Sequence, residues 1–306
     1  MKKTVLLTFF SAMALFGSAQ DTIIPLWPKG LMPNYIASDE RETQERANGM
    51  LKLRKVQEPT IEVYLPAKGN ATGEGLLIFP GGGYGILAYD WEGTDIAKFL
   101  NGKGIAGIVV KYRLPSDRSQ KEKHHVPLID AQRALRSVRS MAGEFNLDAD
   151  KIGIIGFSAG GHLAATLGTQ FNENVYAPID AIDTESARPD FMALCYPVIA
   201  FGETVTHKGS QNNLLGKDAA ADLIKRFSAE KQVTTETPPT FLVHALDDVA
   251  VPVANSLLFL EALEAKGCSA TLHVYPKGGH GFSLARDDRH LRGWTERMVE
   301  WISSLE

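Results

Sequence analysis

The sequence predicts an α/β protein with a mostly parallel central sheet covered by helices on both faces. From about residue 60 onward, short apolar or β-branched runs alternate with longer helical patterns, which is typical of a parallel sheet. The apolar runs are continuous rather than alternating, as in strands that are buried on both faces. The chain has 306 residues, of which 44% are hydrophobic and 22% charged. This balance is that of a globular protein and excludes disorder of the whole chain.

The predicted strands are about four to eight residues long and are bounded by glycine, proline or aspartate. They cover residues 61–65, 75–80, 105–112, 152–157, 191–196, 240–244 and 270–275.

Helical spacing of apolar residues predicts helices between these strands. The helices cover residues 94–100, 128–141, 255–265 and 291–305, with a short helix over 219–227. On the second helix, Arg133, Arg136 and Arg139 form a stripe of their own, for which we expect a solvated face rather than an anion site. The segment 199–239 is the least regular and is expected to lie over the sheet edge as a cap. The polar, proline-containing N-terminal part is expected to wrap the surface.

The first twenty residues have the pattern of a signal peptide. Lys2 and Lys3 precede an apolar run, and small residues follow at 17–19, with cleavage expected after Ala19 or Gln20. The apolar run of about a dozen residues is short of the roughly 20 needed to span a bilayer. We therefore expect residues 1–20 to be removed on export, and residues 21–306 to form a single catalytic domain that is periplasmic or secreted and not held in a membrane.

Charge and cysteine content indicate which kinds of partner and cross-link to expect. Lys plus Arg is 32 and Asp plus Glu is 36, so the net charge of −4 gives no support to a nucleic-acid partner. Cys195 and Cys268 are too few for a disulfide framework, and buried free thiols are favoured over a pair. No H-E-x-x-H or paired-cysteine motif is present, so we expect no metal site. The serine chemistry predicted below needs no organic cofactor either. The sequence does not indicate the oligomeric state.

The strongest local signal is the pentapeptide GFSAG at 156–160, centred on Ser158. It directly follows an apolar strand and precedes a helical pattern, which is the context of a nucleophile elbow. The glycines are needed because the turn is too tight for side chains two residues before and two after the serine. Ser158 is therefore the predicted nucleophile.

A serine hydroxyl needs a base and an orienting carboxylate, which follow in the order acid, then histidine, in this type of sheet. Asp247 and Asp248 come just after the predicted strand 240–244, and His280 lies in a glycine-flanked loop after strand 270–275. Spacing alone does not separate Asp247 from Asp248. Among the other histidines, we expect His124 and His125 at the surface and His162 and His244 in local packing.

An oxyanion hole is predicted from the glycine run PGGGY at 80–84, directly after strand 75–80. Without side chains in the way, the N–H groups of Gly82 and Gly83, together with that of Ala159, can face a substrate oxygen. Each such donor contributes on the order of 3 kcal/mol to stabilising the tetrahedral intermediate. A phosphate-binding loop is the alternative, but neither of the two common phosphate-loop patterns follows.

These motifs resemble the α/β-hydrolase superfamily, and more narrowly its exported carbohydrate-esterase-like members, the acetylxylan esterases and feruloyl-esterase-like hydrolases. The resemblance spans nearly all of the mature chain. The pattern H-G-x-x-D-x-x-V-P of this group matches residues 244–252 with Ala245 in place of glycine, which assigns the acid to Asp248. Pro80 stands where lipases of the H-G-G-G type have histidine, which argues against a lipase. The segments that carry the resemblance are 24–28 (IPLWP), 80–84 (PGGGY), 110–115 (VKYRLP), the elbow at Ser158, Gly209-Ser210, 214–216 (LLG) and 278–282 (GGHGF).

The resemblance implies a serine esterase that hydrolyses small acyl esters, acetyl above all, on plant polysaccharide such as xylan. Its partner is then an acylated carbohydrate. Tyr84 and Trp91 are candidates to face a sugar ring, although packing is favoured for Trp91. A general carboxylesterase or a feruloyl esterase is the alternative within enzymes. A non-catalytic binding protein of the same fold is the alternative outside them, and the intact order of serine, aspartate and histidine argues against it.

Overall fold

The computed structural model describes residues 22–202 and 204–305. It contains an eight-stranded sheet in the order β1-β4-β7-β5-β8-β9-β10-β11 and a three-stranded sheet in the order β2-β3-β6. The strands are β1 (Thr22–Pro25), β2 (Thr43–Ala47), β3 (Met50–Arg54), β4 (Thr60–Tyr64), β5 (Gly75–Phe79), β6 (Leu87–Ala88), β7 (Ala106–Lys111), β8 (Ile152–Phe157), β9 (Met192–Cys195), β10 (Thr240–Ala245) and β11 (Ala270–Tyr275). The helices are α1 (Asp95–Asn101), α2 (Val126–Ser140), α3 (Ala159–Thr169), α4 (Lys208–Leu215), α5 (Ala221–Arg226), α6 (Ala254–Ala265) and α7 (Trp294–Ile302).

The mostly parallel sheet is confirmed. Strands β7, β5, β8, β9, β10 and β11 pair in parallel, whereas β1 and β4 are antiparallel to their neighbours at one edge. The central strands β5 and β8 are buried at every position, while the edge strand β11 is only partly buried. A continuous apolar run therefore belongs to the middle of this sheet, where both faces are covered.

Helices cover both faces of the sheet, as predicted. One apolar cluster packs α2, α3 and α6 against one face, with Leu135 and Phe259 among its buried members. The other cluster packs α1 and α7 against the opposite face, with Ile96 and Trp294 fully buried.

The expectation of a solvated face for the arginine stripe on α2 is wrong. Arg133 is 1% exposed and forms ion pairs with Asp180 and Asp183. Arg136 and Arg139 donate to backbone carbonyls of the segment that leads into β9. That segment packs over the stripe, and spacing along α2 alone contains no information about it.

The N-terminal part does more than wrap the surface. Strand β1 pairs with β4 and so extends the main sheet, and β2 and β3 form an antiparallel pair beside β6. The predicted signal peptide lies outside the described residues. Within residues 22–202 and 204–305, no helix combines the length and the apolar character needed to cross a membrane.

The topology gathers several loops at one edge of the sheet. Strands β5, β8, β10 and β11 run in parallel, so the segments after Phe79, Phe157, Ala245 and Tyr275 all leave from the same edge. Ligand-binding and reactive groups of open α/β sheets collect at this carboxyl edge. The predicted nucleophile, acid, base and oxyanion loop are therefore brought together by the strand order alone.

Candidate active site

Ser158 lies on a sharp turn between β8 and α3. Its backbone has φ 51° and ψ −116°, a conformation that costs a residue with a side chain on the order of 1–3 kcal/mol. The flanking glycines are required sterically. A Cβ on Gly156 would lie 2.2 Å from the Gly160 carbonyl oxygen, and a Cβ on Gly160 would lie 2.1 Å from the carbonyl oxygen of Phe79. The local sequence thus forces the strained strand-to-helix turn that the pentapeptide predicts.

The three residues predicted as nucleophile, base and acid form a continuous hydrogen-bonded chain. His280 Nε2 lies 2.8 Å from Ser158 Oγ, and His280 Nδ1 lies 2.7 Å from Asp248 Oδ2. The Asp248 side chain is fully buried, whereas that of His280 is 25% exposed. The imidazole therefore bridges the buried carboxylate and the Ser158 hydroxyl at the carboxyl edge of the sheet, which is the arrangement needed to accept and return a proton.

Asp248 is held as a carboxylate by several donors. Its Oδ1 accepts the N–H groups of Ala250 and Val251, both at 2.9 Å, and His244 Nε2 lies 3.3 Å from Oδ2. Burial alone would raise the pKa of this carboxyl. The hydrogen bonds from His244, His280 and the Val251 N–H outweigh burial and hold the pKa below its usual range. A carboxylate that stays ionised can orient the imidazole and stabilise its protonated form.

Asp247, the neighbour that spacing could not separate, has different contacts. Its Oδ1 accepts the Gly279 N–H at 2.8 Å, one residue before His280. Its side chain lies at the surface, with Lys277 Nζ 4.0 Å away. Asp247 therefore anchors the histidine loop, and the carboxylate that contacts the imidazole belongs to Asp248.

The glycine loop after β5 lies directly against Ser158. A Cβ on Gly81 would be 3.0 Å from Ser158 Cβ, and one on Gly82 would be 2.4 Å from the carbonyl oxygen of Ile86. Gly82 and Gly83 have φ values of 128° and 63°, which favour glycine. Within the described part of the chain, no hydrogen bond occupies the N–H groups of Gly82, Gly83 or Ala159. These donors are available to a substrate oxygen.

Helix α4, which the sequence did not predict, contacts the glycine loop. Asn213 Nδ2 donates to the Gly83 carbonyl oxygen at 2.8 Å. His207, at the N-terminal cap of α4, accepts the Ser210 N–H on Nδ1, and its Cε1 would be 3.7 Å from a Cβ on Gly83. Burial, followed by the positive charge of a protonated His280, lowers the pKa of His207. His207 is therefore a neutral imidazole beside the oxyanion loop.

The two aromatic candidates for sugar contact have other roles. Tyr84 is 2% exposed and its hydroxyl lies 2.8 Å from His162 Nδ1, so it is part of the core beneath the loop. Trp91 Nε1 donates to the Gly281 carbonyl oxygen at 2.8 Å and so holds the histidine loop. The prediction of a packing role for Trp91 agrees with this contact, and the sugar-facing role of Tyr84 is wrong.

The remaining histidines mostly follow expectation. His162 and His244 are buried and hydrogen-bonded on both ring nitrogens, as expected of packed side chains. His124 and His125 are half-buried rather than exposed, because they stack on each other and against Phe227. The expectation that they lie at the surface is therefore wrong, because the segment around Phe227 covers them.

Both cysteines are free, with Cys195 buried and Cys268 partly exposed. Among the described residues, no group of three or more His, Cys, Asp or Glu side chains could hold a metal ion.

Besides the residues of α4, Glu92 and Tyr196 are residues at the site that sequence reasoning missed. Glu92 accepts the Gly81 N–H at 2.9 Å, and Tyr196 Oη donates to Glu92 at 2.8 Å. An acidic residue just before a helix is ordinary, because it favours the positive end of the helix dipole, so Glu92 carried no distinguishing signal. Taken together, the site offers an activated hydroxyl, a proton acceptor backed by a carboxylate and free N–H donors, the groups that acyl transfer requires.

Comparison with known proteins places this geometry in a family context. A family model described as BD-FAE matches residues 61–263, a range that includes Ser158 and Asp248 and ends before His280. The acetylxylan esterase of Xylanibacter ruminicola is 35% identical over 241 residues, which are 77% of this chain and 46% of that protein. Endo-1,4-beta-xylanase B of Butyrivibrio fibrisolvens is 37% identical over 225 residues, 72% of this chain and 34% of that protein. The chain thus spans less than half the length of these two curated relatives.

Among solved structures, the acetyl ester-xyloside bifunctional hydrolase from Caldicellulosiruptor lactoaceticus superposes with a TM-score of 0.80 at 36% identity. The match covers 93% of this chain and 96% of that one. The fold predicted from the motifs, that of the α/β-hydrolases, is confirmed.

Proposed function

Because the chain belongs to the BD-FAE family, we propose that it is a serine esterase that releases small acyl groups, acetyl above all, from plant polysaccharide such as xylan. The observation that carries the ester hydrolysis is the chain of hydrogen bonds from Ser158 through His280 to Asp248 on a strained elbow. The choice of acyl group and sugar is supported by the relatives, of which one is an acetylxylan esterase and another an acetyl ester-xyloside hydrolase.

The proposed reaction has two steps. Ser158 Oγ attacks the acyl carbon while its proton passes to His280 Nε2, and the carbonyl electrons move onto the oxygen. The N–H groups of Gly82, Gly83 and Ala159 hold that oxyanion, and Asp248 stabilises the imidazolium. The tetrahedral intermediate collapses, His280 gives its proton to the leaving sugar oxygen, and an acyl-enzyme remains on Ser158. Water, deprotonated by His280, then releases the acid by the same route.

We also propose that the protein acts outside the cytoplasm, in the periplasm or as a secreted enzyme. The support is the charged, apolar and small-residue order of the first twenty residues. Recovery of the protein from fractionated cells, followed by N-terminal sequencing, tests this. A start near Asp21 in the exported fraction supports export, and a cytoplasmic protein with Met1 intact contradicts it.

The test of function is release of acetate and of ferulate from acetylated and feruloylated xylan oligosaccharides by the purified protein and by its Ser158→Ala variant. We expect rapid acetate release that the variant loses by a factor of roughly 10⁴ or more. Dominant ferulate release would overturn the acetyl assignment and keep the nucleophile. No release of either acid, and none from small acetyl esters, by folded protein would overturn the esterase.

A further inference from the structure

A buried carboxylate lies between the oxyanion loop and the histidine loop. Glu92 is 4% exposed and belongs to a single π-helical turn, Asp90–Thr94, directly before α1. Such turns are rare and occur often at functional sites. One carboxylate oxygen, Oε2, accepts the Gly81 N–H at 2.9 Å, and the other, Oε1, accepts the Tyr196 hydroxyl at 2.8 Å.

Tyr196 continues the connection to the loop that carries His280. Its hydroxyl oxygen accepts the Ser283 N–H at 3.0 Å, so its own proton is directed to Glu92. Its ring packs edge-on against the His280 imidazole, with ring centres 5.2 Å apart. Tyr196 itself has a φ of 37°, and a backbone in that region persists only where surrounding contacts hold it.

The same π-helical turn holds the histidine loop at two more points. Trp91 Nε1 donates to the Gly281 carbonyl oxygen at 2.8 Å, and the Ser283 hydroxyl donates to the Trp91 carbonyl oxygen. One turn of chain therefore contacts the loop that binds the oxyanion and the loop that supplies the base. These two loops are about 200 residues apart in sequence and share no strand pairing.

We propose that Glu92 is a positioning residue for the ester hydrolysis proposed above. It fixes the oxyanion loop relative to the histidine loop, and its negative charge adds to that of Asp248 in stabilising the imidazolium of His280. This inference rests on the proposed function, and it assigns the tuning of the base to a carboxylate outside the serine, histidine and aspartate chain.

The hydrogen bonds favour the ionised form of Glu92. Both of its partners are donors, which satisfies a carboxylate and leaves no acceptor for a carboxylic proton. Burial holds the pKa of Glu92 above its usual range, and the hydrogen bonds from Tyr196 and Gly81 and the positive charge of protonated His280 offset only part of that rise. The ionised form is therefore inferred from the two hydrogen-bond donors. Tyr112 and Cys195 also lie near the carboxylate, and burial raises the pKa of both, so they remain neutral beside it.

The groups that face His280 come from every neighbouring element. Asp248 after β10, Ser158 at the elbow and Tyr196 after β9 contact its ring, and His207 at the cap of α4 and Glu92 interact with it electrostatically. Only Asp248 and Glu92 are anions among them. Removing the charge of Glu92 therefore leaves the imidazolium with one stabilising anion, whereas removing only the Tyr196 hydroxyl leaves both anions in place.

The experiment compares kcat, KM and the pH dependence of kcat/KM on 4-nitrophenyl acetate for the wild type, Glu92→Gln and Tyr196→Phe. We expect Glu92→Gln to lower kcat roughly tenfold with KM changed less than about twofold, as for an interaction made mainly in the transition state. We also expect the acid limb of its profile to move to lower pH, because that limb follows the pKa of the base. Tyr196→Phe should lower kcat with the acid limb unmoved.

A matched control is Asp183→Asn. Asp183 is also a buried acid with one oxygen on a tyrosine hydroxyl, that of Tyr176, and the other on a backbone N–H, that of Ile179, and it additionally pairs with the Arg133 guanidinium. It lies in the segment between α3 and β9, which packs on α2, and the hydrogen bonds and ion pair of its side chain do not involve Ser158, His280 or Asp248. We expect Asp183→Asn to lower the melting temperature while leaving kcat and the pH profile as in the wild type.

The inference is overturned if Glu92→Gln keeps the wild-type kcat and acid limb. It is also overturned if the acid limb of Glu92→Gln stays in place and its lower kcat is explained by a loss of stability like that expected for Asp183→Asn. If Glu92→Gln fails to fold, the Tyr196→Phe variant tests the proposal instead. An unchanged kcat in Tyr196→Phe would contradict the positioning role. Failure of the proposed function is a separate result, since the wild type and Ser158→Ala would then hydrolyse the ester equally.

Discussion

Several residues in and around the site have backbone conformations that non-glycine residues seldom adopt. Ser158, Tyr84, Tyr196 and Ser283 have φ values of 51°, 60°, 37° and 47°. Each such residue costs about 1–3 kcal/mol unless its surroundings hold it. For Tyr84 and Tyr196 the hydroxyl is hydrogen-bonded to a buried group, His162 or Glu92. Residue by residue, the site is stabilised by buried polar contacts rather than by local preference.

The two adjacent aspartates provide the sharpest test at this scale. We expect Asp248→Asn to lower kcat by about 10⁴, because an amide neither stabilises the imidazolium nor selects the tautomer with Nδ1–H. This large loss is expected because Asp248 is buried and contacts His280 Nδ1 at 2.7 Å. Steady-state kinetics on 4-nitrophenyl acetate measure the effect.

Asp247→Asn is the matched control, since it makes the same change one residue earlier. Asp247 holds the Gly279 N–H at the surface, so we expect a loss of kcat below about tenfold. A larger loss for Asp247→Asn than for Asp248→Asn would contradict the assignment of the acid.

Among the elements, α4 supports the oxyanion loop through one side chain. Asn213 donates to the Gly83 carbonyl oxygen, and the N–H of Gly83 is one of the proposed oxyanion donors. We expect Asn213→Ala to lower kcat roughly tenfold with little change in KM, because the loop loses its fixed orientation rather than a substrate contact. Kinetics on the same ester measure both constants.

Asn212→Ala, on the same helix, controls for a general effect on α4. It leaves the hydrogen bond from Asn213 to Gly83 in place, so wild-type kcat is expected. Equal losses in the two variants would show that the helix, and not the contact with the loop, is responsible.

His162 connects three elements and predicts a dependence of stability on pH. It lies in α3, accepts the Tyr84 hydroxyl on Nδ1 and donates from Nε2 to the Phe227 carbonyl oxygen at 2.7 Å. Burial lowers its pKa to about 4, against about 6.5 in the unfolded chain. As pH falls from 6.5 towards 4, the unfolded chain binds a proton that the folded protein does not, so stability is lost in that window.

Between pH 7.5 and pH 5, His162 accounts for a loss of about 2 kcal/mol in the free energy of unfolding. His162→Gln should be less stable than the wild type at pH 7.5 but should lose about 2 kcal/mol less on acidification. Urea unfolding at the two pH values measures this difference. The same loss in both proteins would show that His162 does not titrate in this way.

For the whole molecule, the main sheet was predictable from β4 onward because most of its strands are continuous apolar runs, whereas its edge strand β1 was missed. The predicted ranges 75–80, 152–157 and 270–275 agree with β5, β8 and β11 to within a residue. The small sheet was missed, because β2 reads TQERA and four of its five residues are exposed, so no apolar pattern marks it. The burial of Arg133 was missed because the segment that covers it is distant in sequence.

The proposed reactive residues were predictable for a related reason. Ser158 and His280 follow strands directly, so their place at the carboxyl edge is fixed by local pattern and strand order. Glu92 and Asn213 act through partners 104 and 130 residues away, Tyr196 and Gly83, and no local spacing contains those contacts. Asp248 was separated from Asp247 only by the resemblance, because two adjacent residues share one position in the strand order.

The N-terminal segment is joined to the body of the molecule by a buried ion pair. Asp130, in α2, accepts from the Arg113 guanidinium at 2.8 Å and from Trp27 Nε1 at 2.8 Å. Arg113 also donates to the Pro33 carbonyl oxygen at 2.8 Å, so β7, α2 and the segment after β1 meet at one point. Both ionic side chains are at most 1% exposed.

We expect Asp130→Ala to destabilise the protein by about 3–5 kcal/mol, because it leaves the Arg113 guanidinium buried without its anion. Thermal and urea unfolding measure the loss, and kcat of the protein that remains folded at 25 °C should stay near the wild-type value. The exposed pair of Lys103 and Glu296 is the comparison, since Lys103→Ala should cost less than about 1 kcal/mol. The double variant Arg113→Met with Asp130→Leu should recover part of the loss, because no unpaired charge remains. If Asp130→Ala and Lys103→Ala cost the same, the buried pair does not hold the N-terminal segment in place.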